Sequence, residues 1–124
     1  YSTTRHNLGA SIILNLLEDL RLNSKNYPKL SASIARHQRP PCILAVPNTY
    51  MNNSGRAVTK ILHYFKIKAN DLYIIHDDLD LAIGDYKIQF DRGPAGHQGV
   101  KSIINYMGTQ AFHRIRIGIG RPLD

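Results

Sequence analysis

The 124-residue chain holds a single cysteine, Cys42. No intramolecular disulfide can form, and a reducing compartment suits the composition. Flanked by Pro40 and Pro41 and followed by an apolar run, Cys42 reads as a buried, inert thiol. No apolar stretch approaches the roughly 20 residues that an α-helical membrane span requires. The N-terminus also lacks the charged-then-apolar order of a secretion signal. The expectation is a soluble, cytoplasmic protein. Acidic residues are scarce as well, with 9 Asp and Glu against 16 Lys and Arg, a formal charge of +7. That balance favours a polyanionic partner such as nucleic acid over an acidic protein surface. Internal repeats and low-complexity tracts are absent, and one domain over residues 1–124 is expected. The start at Tyr1 without a methionine and the stop at Asp124 suggest a piece of something longer.

Apolar periodicity divides the chain into alternating elements. Ile12, Ile13, Leu16, Leu17 and Leu20 recur at helical spacing over residues 8–22, with Glu18, Asp19 and Arg21 left for water. The polar stretch 23–29 ends this helix. A short strand is expected over 31–36, then a turn at Pro40 and Pro41. The apolar run 43–46 suits a strand covered on both faces. Asn52, Asn53 and Ser54 are cap candidates for a helix ending at Lys66, whose apolar stripe is Ala57, Val58, Ile61, Leu62 and Phe65. Another apolar strand follows at 72–75, and Tyr86, Ile88 and Phe90 alternate with polar neighbours as in a half-solvated strand. A third helix over 97–107 buries Val100, Ile103, Ile104 and Met107 and ends at Gly108, suited to a left-handed cap. Finally, Ile115, Ile117 and Ile119 alternate with Arg114, Arg116 and Gly118, giving one apolar face and a basic edge. This order predicts an α/β fold: one twisted mixed sheet with helices on both faces. Ligands of such sheets lie beyond the carboxyl ends of the strands.

Four polar clusters follow apolar runs or open helices: Thr4 to Asn7, Asn48 to Asn53, His76 to Asp80, and Gly96 to Gly99. Brought together, they would supply a histidine, a carboxylate and several amides, the ingredients of water activation. Histidine exchanges protons near neutral pH, and a carboxylate partner, here Asp77, fixes its tautomer. Amides such as Asn52 and Gln98 can stabilise the oxyanion formed when an ester carbonyl is attacked. Arg114 and Arg116 could hold phosphates. Plainer roles stand beside these. His6 can be a cap or surface residue, the glycines around His97 can serve a tight turn, and Tyr50 and Met51 can simply pack. His76 and Asp77 resemble a metal-ligand pair, while Asp77, Asp78 and Asp80 can equally be caps or turn formers. His37, His63 and His113 read as surface residues.

In order along the chain, Thr4-Arg5-His6-Asn7, Pro47-Asn48-Thr49-Tyr50-Met51-Asn52, His76-Asp77-Asp78-Leu79-Asp80, Gly96-His97-Gln98-Gly99 and the segment from Phe112 to Pro122 resemble the signature blocks of bacterial-type peptidyl-tRNA hydrolases. The resemblance spans Thr4 to Pro122. It implies a monomeric hydrolase, needing no metal or other cofactor, that cleaves the ester joining a peptide to the 3′ ribose of tRNA. By motif match His6 would be the catalytic base and Asp77 its orienting carboxylate. Asn52 would contact substrate and help hold the histidine or water, Tyr50 and Met51 would line the peptide channel, and His97 would be a substrate-site histidine. Arg116 would grip the tRNA 5′ phosphate, assisted by Arg114 or Lys87. This chain departs from the family at Gln98, where asparagine is usual, and at Gln89, which occupies the position of a second phosphate-clamping lysine. It also lacks the family's N-terminal strand with its Gly-Leu-Gly-Asn-Pro-Gly turn and the C-terminal region, which predicts exposed sheet edges and weak stability. Two rival readings are a relative that keeps RNA binding without the reaction, and a metal-dependent phosphohydrolase using His76 and Asp77.

Overall fold

The computed structural model describes residues 8–49 and 53–120. Helix α1 (Leu8–Asp19) leads into β1 (Lys25–Tyr27), a 3-10 turn (Pro28–Leu30), β2 (Ala32–Gln38) and β3 (Pro41–Pro47). Helix α2 (Ser54–Phe65), β4 (Tyr73–Asp78), β5 (Tyr86–Phe90), α3 (Gln98–Met107) and β6 (His113–Gly118) complete the order. The expected α/β alternation is present. The described strands, however, form two sheets where one was expected. Strands β1, β2 and β3 make an antiparallel sheet in that order, while β4, β6 and β5 make a mixed one with β4 parallel to β6. Helix α1 lies across both, touching β3 and β4.

Strand parity explains how the first sheet is covered. Ala32 and Ile34 of β2 share a face with Ile43 and Ala45 of β3, and this face packs on Leu30, Ile61 and Phe65 beneath α2. One residue along, Ala35 and its partner Leu44 point the other way and meet Leu17 and Ile13 from α1 and Leu22 just beyond it. An apolar run such as 43–46 is what a strand covered on both faces requires. Of the α1 stripe only Leu17 is fully buried, and Leu14, Leu16 and Leu20 are exposed. The helix stops at Asp19 because Arg21 turns left-handed at φ 55°. The Leu22 N–H then bonds back to the Leu17 carbonyl at 2.9 Å and that of Arg21 to Glu18 at 3.0 Å, a Schellman ending.

A second core joins α2, α3 and the mixed sheet: Val58, Leu62, Val100, Ile103 and Phe112, with Leu72, Ile74 and Met107 packed around them. The two helices approach closely enough for the Gly55 N–H to donate to Ser102 Oγ at 3.0 Å. Asn53 stands at the N-cap of α2, but its side chain makes no capping bond. Gly108 ends α3 in the left-handed conformation, φ 71°, as its position predicts. Cys42 is exposed, correcting the expectation of a buried thiol. It sits at the start of β3 opposite His37, next to the turn. No described helix is long and apolar enough to cross a membrane.

Candidate active site

Two elements meet at the carboxyl end of β4. The apolar residues of the strand carry the chain out of the core, and its last three residues, His76, Asp77 and Asp78, are polar yet buried. Helix α3 points its N-terminus at them. There His97 is the N-cap residue: its Nδ1 accepts the Val100 N–H at 3.2 Å. On the other side of the ring, Nε2 lies 2.9 Å from Asp77 Oδ1. The cap fixes the tautomer. A neutral imidazole whose Nδ1 accepts must carry its proton on Nε2, and Nε2–H donates to the carboxylate. His97 therefore orients Asp77 and has no free ring nitrogen with which to take a proton. Sequence reasoning placed His97 at the site as a substrate contact and did not anticipate this bond.

His76 forms the floor. Its ring lies 4.6 Å from that of His97, tilted 55°. Its Nδ1 donates to the Asp77 carbonyl at 2.9 Å. Loss of solvent pushes its pKa down from 6.5 to about 4; the neighbouring His97 lowers it further, while the bond to the Asp77 carbonyl and the carboxylates of Asp77 and Asp78 only partly oppose the shift. The ring stays neutral at physiological pH. Among the described residues no three His, Cys, Asp or Glu side chains converge on a possible metal position.

Asp78 turns to the other face of the strand. Its Oδ1 accepts the Asp80 N–H at 2.8 Å, the turn-forming use weighed above. Its Oδ2 receives Arg116 Nε at 2.5 Å and pairs with Nη2 of the same guanidinium. Arg116 Nη1 donates to Gln89 Oε1 at 2.8 Å. The arginine, 15% exposed, is thus held edge-on by two side chains. Lys87 is exposed and is the cross-strand partner of Arg116, so the two cations are neighbours on the ladder.

Arg114 is corrected from a phosphate contact to an interior residue. Strand alternation puts it on the same face as Arg116, but it is 1% exposed. Its Nη1 donates to the Gly93 carbonyl at 3.0 Å, its Nη2 to that of Gln110 at 2.9 Å, and the guanidinium lies 4.2 Å from the Phe112 ring centroid. Burial lowers its pKa from the ordinary value, and Asp91 offsets part of this. What Arg114 does is tie the loop before α3, hence His97, to β6. His113 also departs from the surface reading, stacking on Tyr73 at 4.2 Å and meeting Phe90 at 4.8 Å. Gln98 is exposed in the first turn of α3, adjoining His97. His6, Tyr50, Met51 and Asn52 lie outside the described residues.

The start of α1 also reaches the site. Gly9 passes so close to β4 that any Cβ there would collide with the Ile75 carbonyl, two residues before Asp77. Only glycine permits that approach.

Comparison with known proteins places this arrangement. The model of the peptidyl-tRNA hydrolase family matches residues 1–124. A peptidyl-tRNA hydrolase of Aquifex aeolicus is 45% identical over 123 residues, 98% of this chain and 64% of the relative. That of Mesoplasma florum is 41% identical over 123 residues, 98% of this chain and 66% of the relative. The chain therefore spans about two thirds of the length of these relatives. The crystal structure of peptidyl-tRNA hydrolase from Acinetobacter baumannii superposes with a TM-score of 0.93 at 33% identity, covering 100% of this chain and 64% of that one. The backbone fold is thus shared with a solved relative, and the chain belongs to the peptidyl-tRNA hydrolase family.

Proposed function

We propose that the chain carries the catalytic core of a hydrolase that cleaves the ester between a peptide and the 3′ ribose of tRNA, with no metal or other cofactor, as a cytoplasmic monomer. The observation that carries this reading is the Asp77 carboxylate, buried at the end of β4 and held by Nε2–H of His97 at 2.9 Å. A carboxylate so fixed serves to orient and charge-stabilise a second imidazole. His6 is the candidate. It precedes Gly9 by three residues, a reach of at most about 10 Å, and Gly9 abuts the strand that ends in Asp77.

In this mechanism His6 takes a proton from water and the oxygen attacks the ester carbonyl carbon. The C–O bond to the ribose then breaks, and the ribose oxygen recovers the proton from the imidazolium. Asn52 and Gln98 supply amide donors, the former to the developing oxyanion or the water, while Tyr50 and Met51 line the path of the peptide. Main-chain and amide contacts suit a substrate whose peptide sequence varies. Arg116, kept in place by Asp78 and Gln89, meets the tRNA 5′ phosphate, with Lys87 beside it. Phosphate contacts carry no base information, so tRNAs of different sequence can be served. The substrate is an activated ester, so positioning and one base suffice.

The test is peptide release from an N-blocked aminoacyl-tRNA by the protein, with His6→Ala as the control. The enzyme reading expects release that the substitution abolishes. Equal rates would remove it and leave the rival reading, an RNA-binding relative without the reaction.

A further inference from the structure

The positive charge of the chain is not centred on Asp77 and His97. Residues 20–70 contain nine Lys and Arg and no Asp or Glu, whereas the rest of the chain, including the site, has seven against nine. The antiparallel sheet and α2 therefore carry the whole excess.

On that half of the molecule α2 borders two adjoining surface depressions of about 510 and 480 Å³ that share Thr59, His63 and Tyr106. Lys29, Arg56, Lys60 and Lys66 complete their polar rim, and among the described residues no carboxylate lines either. Arg56, Lys60 and His63 stand at positions i, i+4 and i+7 of the helix, one stripe about 10 Å long. Among the described residues none of these cations is paired with an acidic side chain. Two tyrosines flank the groove, Tyr64 at 59% and Tyr106 at 52% exposure. Tyr64 is braced edge-on by Phe65 at 4.9 Å and Tyr27 at 6.2 Å, so its ring is held in place while remaining open to solvent.

We propose that this groove along α2 is a second RNA-contact surface, separate from the ester-cleaving site. Unpaired cations at helical spacing neutralise a phosphate backbone. Fixed, exposed tyrosines give bases or riboses a face on which to stack, without sequence preference. An anionic lipid surface would satisfy the cations too, but the exposed Leu and Ile side chains that could enter a bilayer, Leu14, Leu16, Leu20, Leu79, Ile83 and Ile88, lie on or just after α1, in the turn between β4 and β5 and on β5, and none of them lines the groove. Tyr106 follows His97 by nine residues of α3, about 14 Å. An RNA with its 3′ end at Asp77 can thus extend over the groove. The proposal rests on the peptidyl-tRNA reading only for choosing RNA as the polyanion.

The experiment uses the chain and a labelled RNA hairpin with a single-stranded 3′ tail and no ester, so that failure of the hydrolase reading leaves it intact. Binding is followed by fluorescence anisotropy from 50 to 300 mM salt. The triple variant Lys29→Ala, Arg56→Ala, Lys60→Ala should lower the slope of log affinity against log salt by about 2 to 3 and weaken binding at least tenfold. Tyr106→Ala should weaken binding about fivefold or more with the slope unchanged. Replacing Lys29 and Lys60 by arginine, which leaves all three charges in place, should preserve the slope. An unchanged slope in the triple variant would overturn the proposal. So would binding to phosphatidylserine vesicles that exceeds RNA binding and falls with the same three substitutions.

Discussion

Lowering the pH from 7 to 5 asks the fold to keep His76 neutral while the unfolded chain protonates it. The ordinary histidine pKa of 6.5 falls to about 4 in the folded protein, chiefly through burial. The sign follows directly. Between those two values the unfolded state binds more protons than the folded one, so stability falls as pH drops. The contribution is complete above about 6.5 and lost by about 4. A separation of this size corresponds to about 3 kcal/mol in total, and close to 2 kcal/mol of that disappears by pH 5. For a domain whose net stability is about 5–15 kcal/mol, this is a large share. Urea unfolding at pH 7, 6 and 5 measures it, with His76→Asn as the comparison, because asparagine retains a donor for the Asp77 carbonyl but does not titrate. Carboxylates common to both proteins cancel in the difference. The wild type should lose about 2 kcal/mol more than the variant between pH 7 and 5. Parallel curves would refute the reasoning and mean that His76 is protonated in the fold.

Other substitutions probe separate links. Gly9→Ala forces α1 off the Ile75 carbonyl and should cost about 1–3 kcal/mol, read as a shift in the urea midpoint. Asp78→Ala leaves the mostly buried Arg116 without its ionic partner and should cost about 3–5 kcal/mol, seen in thermal melting. His97→Asn can still cap α3, so stability should fall by less than about 1 kcal/mol, while kcat for peptide release should drop because Asp77 loses its donor. Gln89→Lys sets an ammonium next to Arg116 and should steepen the salt dependence of RNA binding by about one phosphate contact, measured with the same ester-free hairpin.

Much of the fold was legible because apolar period follows element type. The alternation of Ile115 and Ile117 and the helical stripe of α2 reported their elements directly. Strand β1 was not legible: Lys-Asn-Tyr has no alternation, and it is a strand only because Ala32, Ser33 and Ile34 pair with it. The end of α1 was read three residues late because Leu20 and Leu22 continue the apolar spacing, while the left-handed turn at Arg21 carries no composition signal. Division into two sheets was invisible too, since strand order depends on pairing between distant segments. At the site, the motif blocks marked Asp77 and His97. The bond between them joins residues 20 apart in sequence and could come only from the position of α3 at the end of β4. Arg114 and Arg116 look equivalent in the pattern. What separates them is the loop before α3, which closes over one and leaves the other at the edge.

In the proposed mechanism the carboxylate of Asp77 drives ester cleavage through a base it orients. Single-turnover peptide release by Asp77→Asn, compared with the unsubstituted protein, measures this most directly. The replacement conserves volume and can still accept from His97 Nε2–H, yet carries no charge. The expected result is a rate at least about 10²-fold lower with affinity for ester-free RNA unchanged. A rate equal to that of the unsubstituted protein would contradict the central claim.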